Sequence, residues 1–235
     1  EKEKENFRIR DQFVNAYHVP CKKTHDQIRP FTNKKIYTFP FWVNQKIWTN
    51  KRDQKTALRK KYGLPENSFL IGSFQRDTEG HDLMSPKLEK GPDLFCDAVE
   101  KFQKEKGNVV VVLGGWRRQY VISRLESANI PYKYFKLPPI ETVNDLYNCL
   151  DLYLVSARYE GGPQAIVECA SNFTPIISTD VGLSPEILPD ESIFIAGQEL
   201  QAVANPEKAY KNVFPFLMPQ GLASFEKLFE EVLAC

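Results

Sequence analysis

The sequence predicts an α/β protein built on a doubly wound parallel sheet, and two observations carry that prediction. From about residue 68 onward, short apolar runs alternate with amphipathic ones, the order expected of strands joined by crossover helices. The apolar runs are also continuous rather than alternating, as in Val-Val-Val-Val-Leu at 109–113, which is how strands covered on both faces read.

Taken in order, residues 68–75 read as a buried strand. Leu94, Phe95, Ala98, Val99 and Phe102 then fall at helical spacing within 91–106, and Gly107 is a stop. The strand at 109–113 ends in a Gly114-Gly115 turn. A helix follows through Val121, Ile122 and Leu125, then a strand near 132–135, a helix near 143–148 and a strand at 150–155. A helix at 163–170, a strand at 175–178 and a short strand near 192–195 complete the alternation. Residues 12–41 suggest a strand, a helix and another strand, the tail of a preceding domain and its linker. The charged run at 1–6 leads directly into the first of these, and the chain reads as the middle of a longer one. Residues 206–233 suggest two closing helices. The expected division is 1–40 for the preceding domain and linker, 41–205 for the nucleotide-site domain, and 206–235 for the closing helices.

Composition excludes several function classes. There are 31 Lys and Arg against 30 Asp and Glu, a net charge of +1, which gives no electrostatic case for nucleic acid or an anionic membrane surface. No apolar run approaches the roughly 18 residues needed to span a bilayer, so no transmembrane segment is expected. Five cysteines, at 21, 96, 149, 169 and 235, are odd in number and widely spaced, without a Cys-x-x-Cys pair. They read as free thiols of a reducing, cytoplasmic protein. There is no Asp-x-Asp and no HExxH, so no metal is expected. The absence of G-x-G-x-x-G after any strand argues against a dinucleotide oxidoreductase. The absence of G-x-x-x-x-G-K argues against a P-loop nucleotidase.

Open α/β sheets bind ligands beyond the carboxyl ends of their strands. The strand at 150–155 runs into Glu160, and Gly161-Gly162-Pro163 then starts a helix. Glycines let a ligand approach the backbone, and a helix N-terminus offers free N–H groups to phosphate or hydroxyl oxygens. Glu160 can accept hydrogen bonds from sugar hydroxyls. Glu168, if it faces inward, needs partners, because a bare buried carboxylate is costly. By spacing alone Gln164, Glu168 and Ser171 equally read as one solvated helix face.

The run from Glu160 through Gly161, Gly162, Pro163 and Glu168 to Ala170, followed by 175–182 and by Pro185-Glu186-Ile187, resembles the C-terminal domain of family-four retaining glycosyltransferases of the GT-B fold. In that family two glutamates separated by seven residues mark the donor site. The resemblance covers roughly residues 35–233, and 12–34 match the end of the family's N-terminal domain. It implies a Rossmann-like domain in which Glu160 holds donor-sugar hydroxyls and Glu168 the nucleotide ribose. Gly161, Gly162 and Pro163 lie near the sugar and diphosphate. Arg76 and Lys90 match the cations that grip the diphosphate and stabilise its departure. Gly114 and Gly115 correspond to another phosphate-side loop, and Leu137 through Pro139 to the segment that meets the base. Asn172-Phe173-Thr174 departs from the family, which usually has small residues there.

The implied activity is a metal-independent, retaining hexosyltransferase using a UDP- or GDP-linked sugar as substrate and no cofactor. The acceptor, a glycan, lipid or small molecule, would be held by the missing N-terminal domain, through which any membrane attachment would also be made. The fragment alone would then be inactive. A non-catalytic nucleotide-sugar-binding module and a GT-B sugar-nucleotide epimerase remain alternatives.

Overall fold

The computed structural model describes residues 2–234. Helix α1 (Lys2–Asp11), strand β1 (Ala16–Val19), helix α2 (Lys22–Ile28) and strand β2 (Lys35–Thr38) come first. β1 and β2 pair in parallel, with Ala16 opposite Lys35 and Val19 opposite Thr38. Helix α3 (Lys55–Lys61) leads into the main unit: β3 (Phe69–Ser73), α4 (Pro92–Lys106), β4 (Val109–Gly115), α5 (Gln119–Ser127) and β5 (Tyr132–Lys136). It continues with α6 (Ile140–Cys149), β6 (Leu152–Val155), α7 (Gln164–Ser171), β7 (Ile176–Thr179), α8 (Ser184–Ile187) and β8 (Ile193–Phe194). Helices α9 (Pro206–Val213) and α10 (Gln220–Leu233) close the chain.

Strands β3 to β8 form one sheet in the order β5-β4-β3-β6-β7-β8, every pair parallel. The winding direction reverses between β3 and β6, and the crevice outside their carboxyl ends is the topological switch point. The expected doubly wound sheet is therefore present. Its β4 side chains show why the run is continuously apolar. Val110 and Val112 pack in one layer with Leu70, Leu146 and Ile166. Val109, Val111 and Leu113 pack in the other with Ile71, Phe95, Val99 and Leu125. Each such burial contributes roughly 2 kcal/mol. Helix α4 begins with Pro92 after Gly91 and ends on Gly107, both glycines left-handed at φ 60° and 72°, as Pro-in, Gly-out punctuation requires.

The closing helices tie the first unit to the second. Phe225 on α10 packs its ring 4.7 Å from that of Phe39 and 4.8 Å from that of Trp42. Tyr37 of β2 donates to Glu231 of α10 at 2.6 Å. No helix among the described residues is long and apolar enough to cross a membrane.

Three local expectations are corrected. The opening charged run does not lead straight into a strand; it forms α1, and Phe13 and Val14 continue its last turn by donating to the carbonyls of Arg10 and Asp11. Helix α3 was not expected from the pattern. It is short and mostly basic, and it is held by Arg59, whose buried guanidinium group reaches Cys149 O, Glu66 O and the Asp151 carboxylate. Gly114 and Gly115 do not form the turn after β4. They are its last two strand residues, paired with Phe135 and Lys136, and the chain turns instead at Arg117, where φ is 57°. Gly114 is needed for another reason: a Cβ there would lie 2.9 Å from the Phe74 ring.

Candidate functional site

The site is assembled by two loops at the switch point, one after β3 and one after β6. The β6 loop is laced to the other by its backbone. Arg158 N and Tyr159 N both donate to Glu89 O, at 2.9 and 3.1 Å, and Ser156 Oγ donates to Gly91 O at 2.8 Å. The guanidinium of Arg158 adds a two-pronged pair to Asp93, at 2.8 and 2.7 Å. Gly91 has no room for a side chain, since a Cβ would sit 1.9 Å from Ser156 O. This lacing sets Lys90 beside Glu160, and Lys90 Nζ donates to Glu160 Oε1. Both side chains are mostly covered, 27% and 14% exposed, so the pair is partly shielded from solvent screening.

The Gly161-Gly162 turn is fixed from both sides. Cys21 Sγ donates to Gly161 O at 3.0 Å, and a Cβ on Gly162 would meet Pro20 at 2.8 Å. Opposite, Gly182 is left-handed at φ 48°, and a Cβ there would lie 2.4 Å from Gly161 O and 2.7 Å from Glu160 O. Gly182→Ala is expected to push Glu160 off its position, with a stability loss of about 1–3 kcal/mol. Thermal unfolding and nucleotide affinity should fall together; a variant normal in both shows that the turn yields at no cost.

Glu168 lies one helical stretch further on. Its carboxylate is mostly buried and accepts from Tyr147 Oη at 2.8 Å. Burial pushes its pKa up to about 7, against the lowering effect of the Tyr147 hydrogen bond. Burial also raises Tyr147, with the nearby Glu168 charge adding to it. Tyr147 packs against Phe74 and Tyr153, ring centroids 4.9 and 5.3 Å away, and Tyr153 Oη accepts from Phe74 N at 3.0 Å.

These groups line two cavities that meet at Lys90 and Glu160. The smaller, about 340 Å³, is bounded by Phe74, Tyr147, Tyr153, Gly162, Pro163 and Glu168 as well as that pair. The larger, about 650 Å³, extends over Gly161 and Gly182 to Thr24 and Gln27 of α2. Lys90, Glu160, Gly161, Gly162, Pro163 and Glu168 are thus brought together. Arg76, Gly114, Gly115, Leu137 and Pro139 line neither cavity. Arg76 is exposed and, among the described residues, has no hydrogen-bond or ion-pair partner. Leu137, left-handed at φ 47° and 66% exposed, donates its N–H to Gly115 O at 3.1 Å. Pro139 immediately precedes α6.

Sequence reasoning missed the aromatic wall of the smaller cavity and a buried guanidinium at the carboxyl ends of β3 and β4. Arg118 is 1% exposed and donates to Asp77 Oδ2 at 2.9 Å, Ser73 O at 2.6 Å, Ser73 Oγ at 3.0 Å and Gly114 O at 3.1 Å. It clamps the carboxyl ends of β3 and β4 together under the Arg76 loop. No group of three or more metal-ligating side chains is gathered among the described residues.

A doubly wound parallel sheet with its loops gathered at a topological switch point is the architecture of the Rossmann-like class, in which ligands bind in the crevice beyond the strand ends. The family described as glycosyl transferases group 1 matches residues 54–206, more than half of the chain, and the chain belongs to that family, whose fold is GT-B. Among curated proteins it is 24% identical over 189 residues to the lipopolysaccharide core biosynthesis mannosyltransferase LpsB of Rhizobium meliloti, covering 74% of this chain and 51% of LpsB. The chain thus spans about half the length of that relative. Among solved structures it resembles Anabaena HepE in complex with UDP and glucose, with a TM-score of 0.78, 13% identity, and coverage of 99% of this chain and 68% of HepE. It also resembles sucrose-phosphate synthase from Thermosynechococcus elongatus, with a TM-score of 0.75, 15% identity, and coverage of 94% and 59%. These likenesses place the fold among GT-B glycosyltransferases.

Proposed function

We propose that this chain is the donor-binding half of a retaining glycosyltransferase that uses a UDP- or GDP-linked sugar. The observation that supports it best is the Lys90–Glu160 pair at the mouth of the cavity whose inner wall is Glu168. In this reading the ribose diol donates to Glu168, the sugar hydroxyls donate to Glu160, and the diphosphate lies across Lys90, the Gly161-Gly162 backbone and Arg76. Arg76, which has no partner among the described residues, swings onto the phosphates. Lys90 is then shared between Glu160 and the diphosphate, and the two cations supply the charge that a metal supplies elsewhere. Gly114 and Gly115, at the carboxyl end of β4, lie on the phosphate side, and Leu137 and Pro139, beyond the carboxyl end of β5, border the base. UDP as the nucleotide of HepE accords with this class of ligand. In the same reading the acceptor is held by a second domain, and the chain alone binds nucleotide without transferring sugar.

A thermal-shift panel of UDP, GDP, ADP and their sugars tests the binding claim. One of them should raise the melting temperature, and no shift with any of them defeats the reading. Appreciable transfer by the chain alone would overturn the division of labour.

Glu168 supplies a pH signature. Its folded pKa of about 7 lies above the ordinary value, so folding is favoured while it is protonated. That contribution is complete below the unfolded pKa and is lost as pH rises toward 7, up to about 3 kcal/mol in all. Glu168→Gln should therefore gain stability over the natural protein at pH 8 and not at pH 4. Ribose hydroxyls prefer the ionised carboxylate, so nucleotide affinity should fall roughly tenfold from pH 8 to pH 6. Glu168→Gln should bind weakly at both. Calorimetric titrations showing equal pH dependence in the two proteins would remove Glu168 from the ribose site.

A further inference from the structure

We propose that a third cavity, between the linker, α8 and α9, is a regulatory ligand site that takes a small aromatic carboxylate and tightens nucleotide binding when filled. The regulatory half rests on the donor reading above; the site itself does not.

This cavity shares no lining residue with the two at Lys90 and Glu160. It measures about 390 Å³, within the range of small-molecule sites, which are mostly apolar with a few placed polar groups. Leu183 and Ile187 line it from the start and end of α8, Pro215 and Phe216 from beyond α9, and Pro40 from the linker after β2. Their ring and methyl surfaces suit one aromatic ring.

Three polar groups select the rest of the ligand. Lys211 is exposed and, among the described residues, has no hydrogen-bond or ion-pair partner. The lysines around Glu160 are by contrast matched: Lys23 with Asp180, Lys87 with Glu89, and Lys90 with Glu160 itself. A carboxylate therefore finds an uncommitted cation here. Asn212 Nδ2 donates to Ile187 O at 3.0 Å, which joins α9 to α8 and leaves Oδ1 to accept. Glu186 Oε1 accepts from Lys22 N at 2.8 Å, which leaves Oε2 to accept as well. A fitting ligand carries a carboxylate for Lys211, an O–H or N–H donor for these oxygens, and an aromatic body for the apolar walls.

Two of the lining residues also hold the Gly161-Gly162 turn. A Cβ on Gly162 would meet Leu183 Cδ2 at 3.0 Å, so Leu183 stands between the cavity and the turn. Glu186 fixes Lys22, next to Cys21, whose Sγ donates to Gly161 O at 3.0 Å. A ligand packed behind Leu183 and bonded to Glu186 braces both contacts. The turn is then ordered before the nucleotide sugar arrives, which makes the coupling between the two ligands positive and reciprocal.

The test uses the full-length protein, with 4-hydroxyphenylacetate as the probe. Calorimetric titration should give a Kd of about 1 mM or tighter, ordinary for a ligand of this size. Its amide and tyramine, which lack the anion, should bind about tenfold more weakly, and Lys211→Gln should weaken the probe by the same factor. Lys211 is exposed, so this variant should melt as the natural protein does. Lys90→Ala should bind the probe normally; a loss there would put the anion in the donor site and overturn the proposal. Saturating probe should tighten the nucleotide selected by the panel about fivefold, and the nucleotide should tighten the probe equally. Lys211→Gln should remove that coupling and leave nucleotide affinity without probe unchanged. Full probe affinity in Lys211→Gln, or nucleotide affinity unchanged or weakened by the probe, overturns the proposal. If the unaltered protein binds the probe but no nucleotide, the donor reading fails and the regulatory half falls with it. Nucleotide binding without probe binding defeats this proposal alone.

Discussion

Lys90→Ala is expected to lower sugar transfer by the full-length protein about 10²–10³-fold, the loss typical of removing one preorganised stabiliser of developing charge. The size follows from how the residue is held. Its backbone is fixed by Lys90 N donating to Lys87 O at 2.9 Å and by Gln75 Nε2 donating to Lys90 O at 2.9 Å, and the left-handed Gly91 behind it admits no side chain. On the proposed reading the ammonium, already held beside Glu160, would meet a diphosphate without having to be ordered first. Charge on the leaving diphosphate grows as the glycosidic bond breaks, so the effect should fall mainly on kcat and less on the donor KM. Lys90→Arg should not fully restore the rate, because a guanidinium fork would pair with Glu160 in a two-pronged geometry and place its charge differently from a compact ammonium. Removing Lys90 also leaves Glu160 without its cation. Losses for Lys90→Ala and Glu160→Gln should accordingly be less than additive when combined, which a double-mutant cycle measures. A kcat within a few-fold of normal in Lys90→Ala would take Lys90 out of the chemistry.

Much of this arrangement is legible along the chain because it depends on neighbours close in sequence. The strand at 109–113 announces itself by continuous β-branched residues. Helix α4 is framed by Gly91-Pro92 and Gly107, and the Glu160-to-Glu168 segment is a strand end, a glycine turn and a helix start in one short run. What could not be read depends on partners far apart. Tyr147 meets Glu168 across 21 residues, and no periodicity links a tyrosine in one helix to a glutamate in another. Whether Glu168 faces solvent or the cavity is decided by that contact, so spacing alone left both readings open. Gly114 and Gly115 were misplaced for a similar reason. Two adjacent glycines signal a turn by conformational freedom, but here the first is small because Phe74, forty residues earlier, needs the space.

Arg118 is the residue whose loss should damage the fold most. Arg118→Met is expected to reduce stability by about 3–5 kcal/mol, measured by denaturant unfolding. In the sequence it is one of several charges in a loop. In the structure it is buried, and its partners Asp77 and Ser73 stand 41 and 45 residues away. Methionine fills similar space, so the loss is electrostatic rather than a cavity: Asp77, itself 1% exposed, keeps its burial and loses its cation. Burial already raises the Asp77 pKa against the pull of Arg118. Without the guanidinium that rise should grow, and the variant should be least destabilised in acid, where Asp77 can take up a proton. Replacing both residues, as Arg118→Met with Asp77→Asn, should recover part of the loss. The functional consequence is separable from stability. Arg118 joins Ser73 O to Gly114 O, and Arg76 leaves the strand end that this clamp secures. Folded variant should therefore bind the nucleotide diphosphate more weakly, while Glu168, held from α6 and α7, keeps its pH signature. Equal stability of the variant and the natural protein at neutral pH would mean that the clamp is dispensable and that the Arg76 loop is positioned by its own turns.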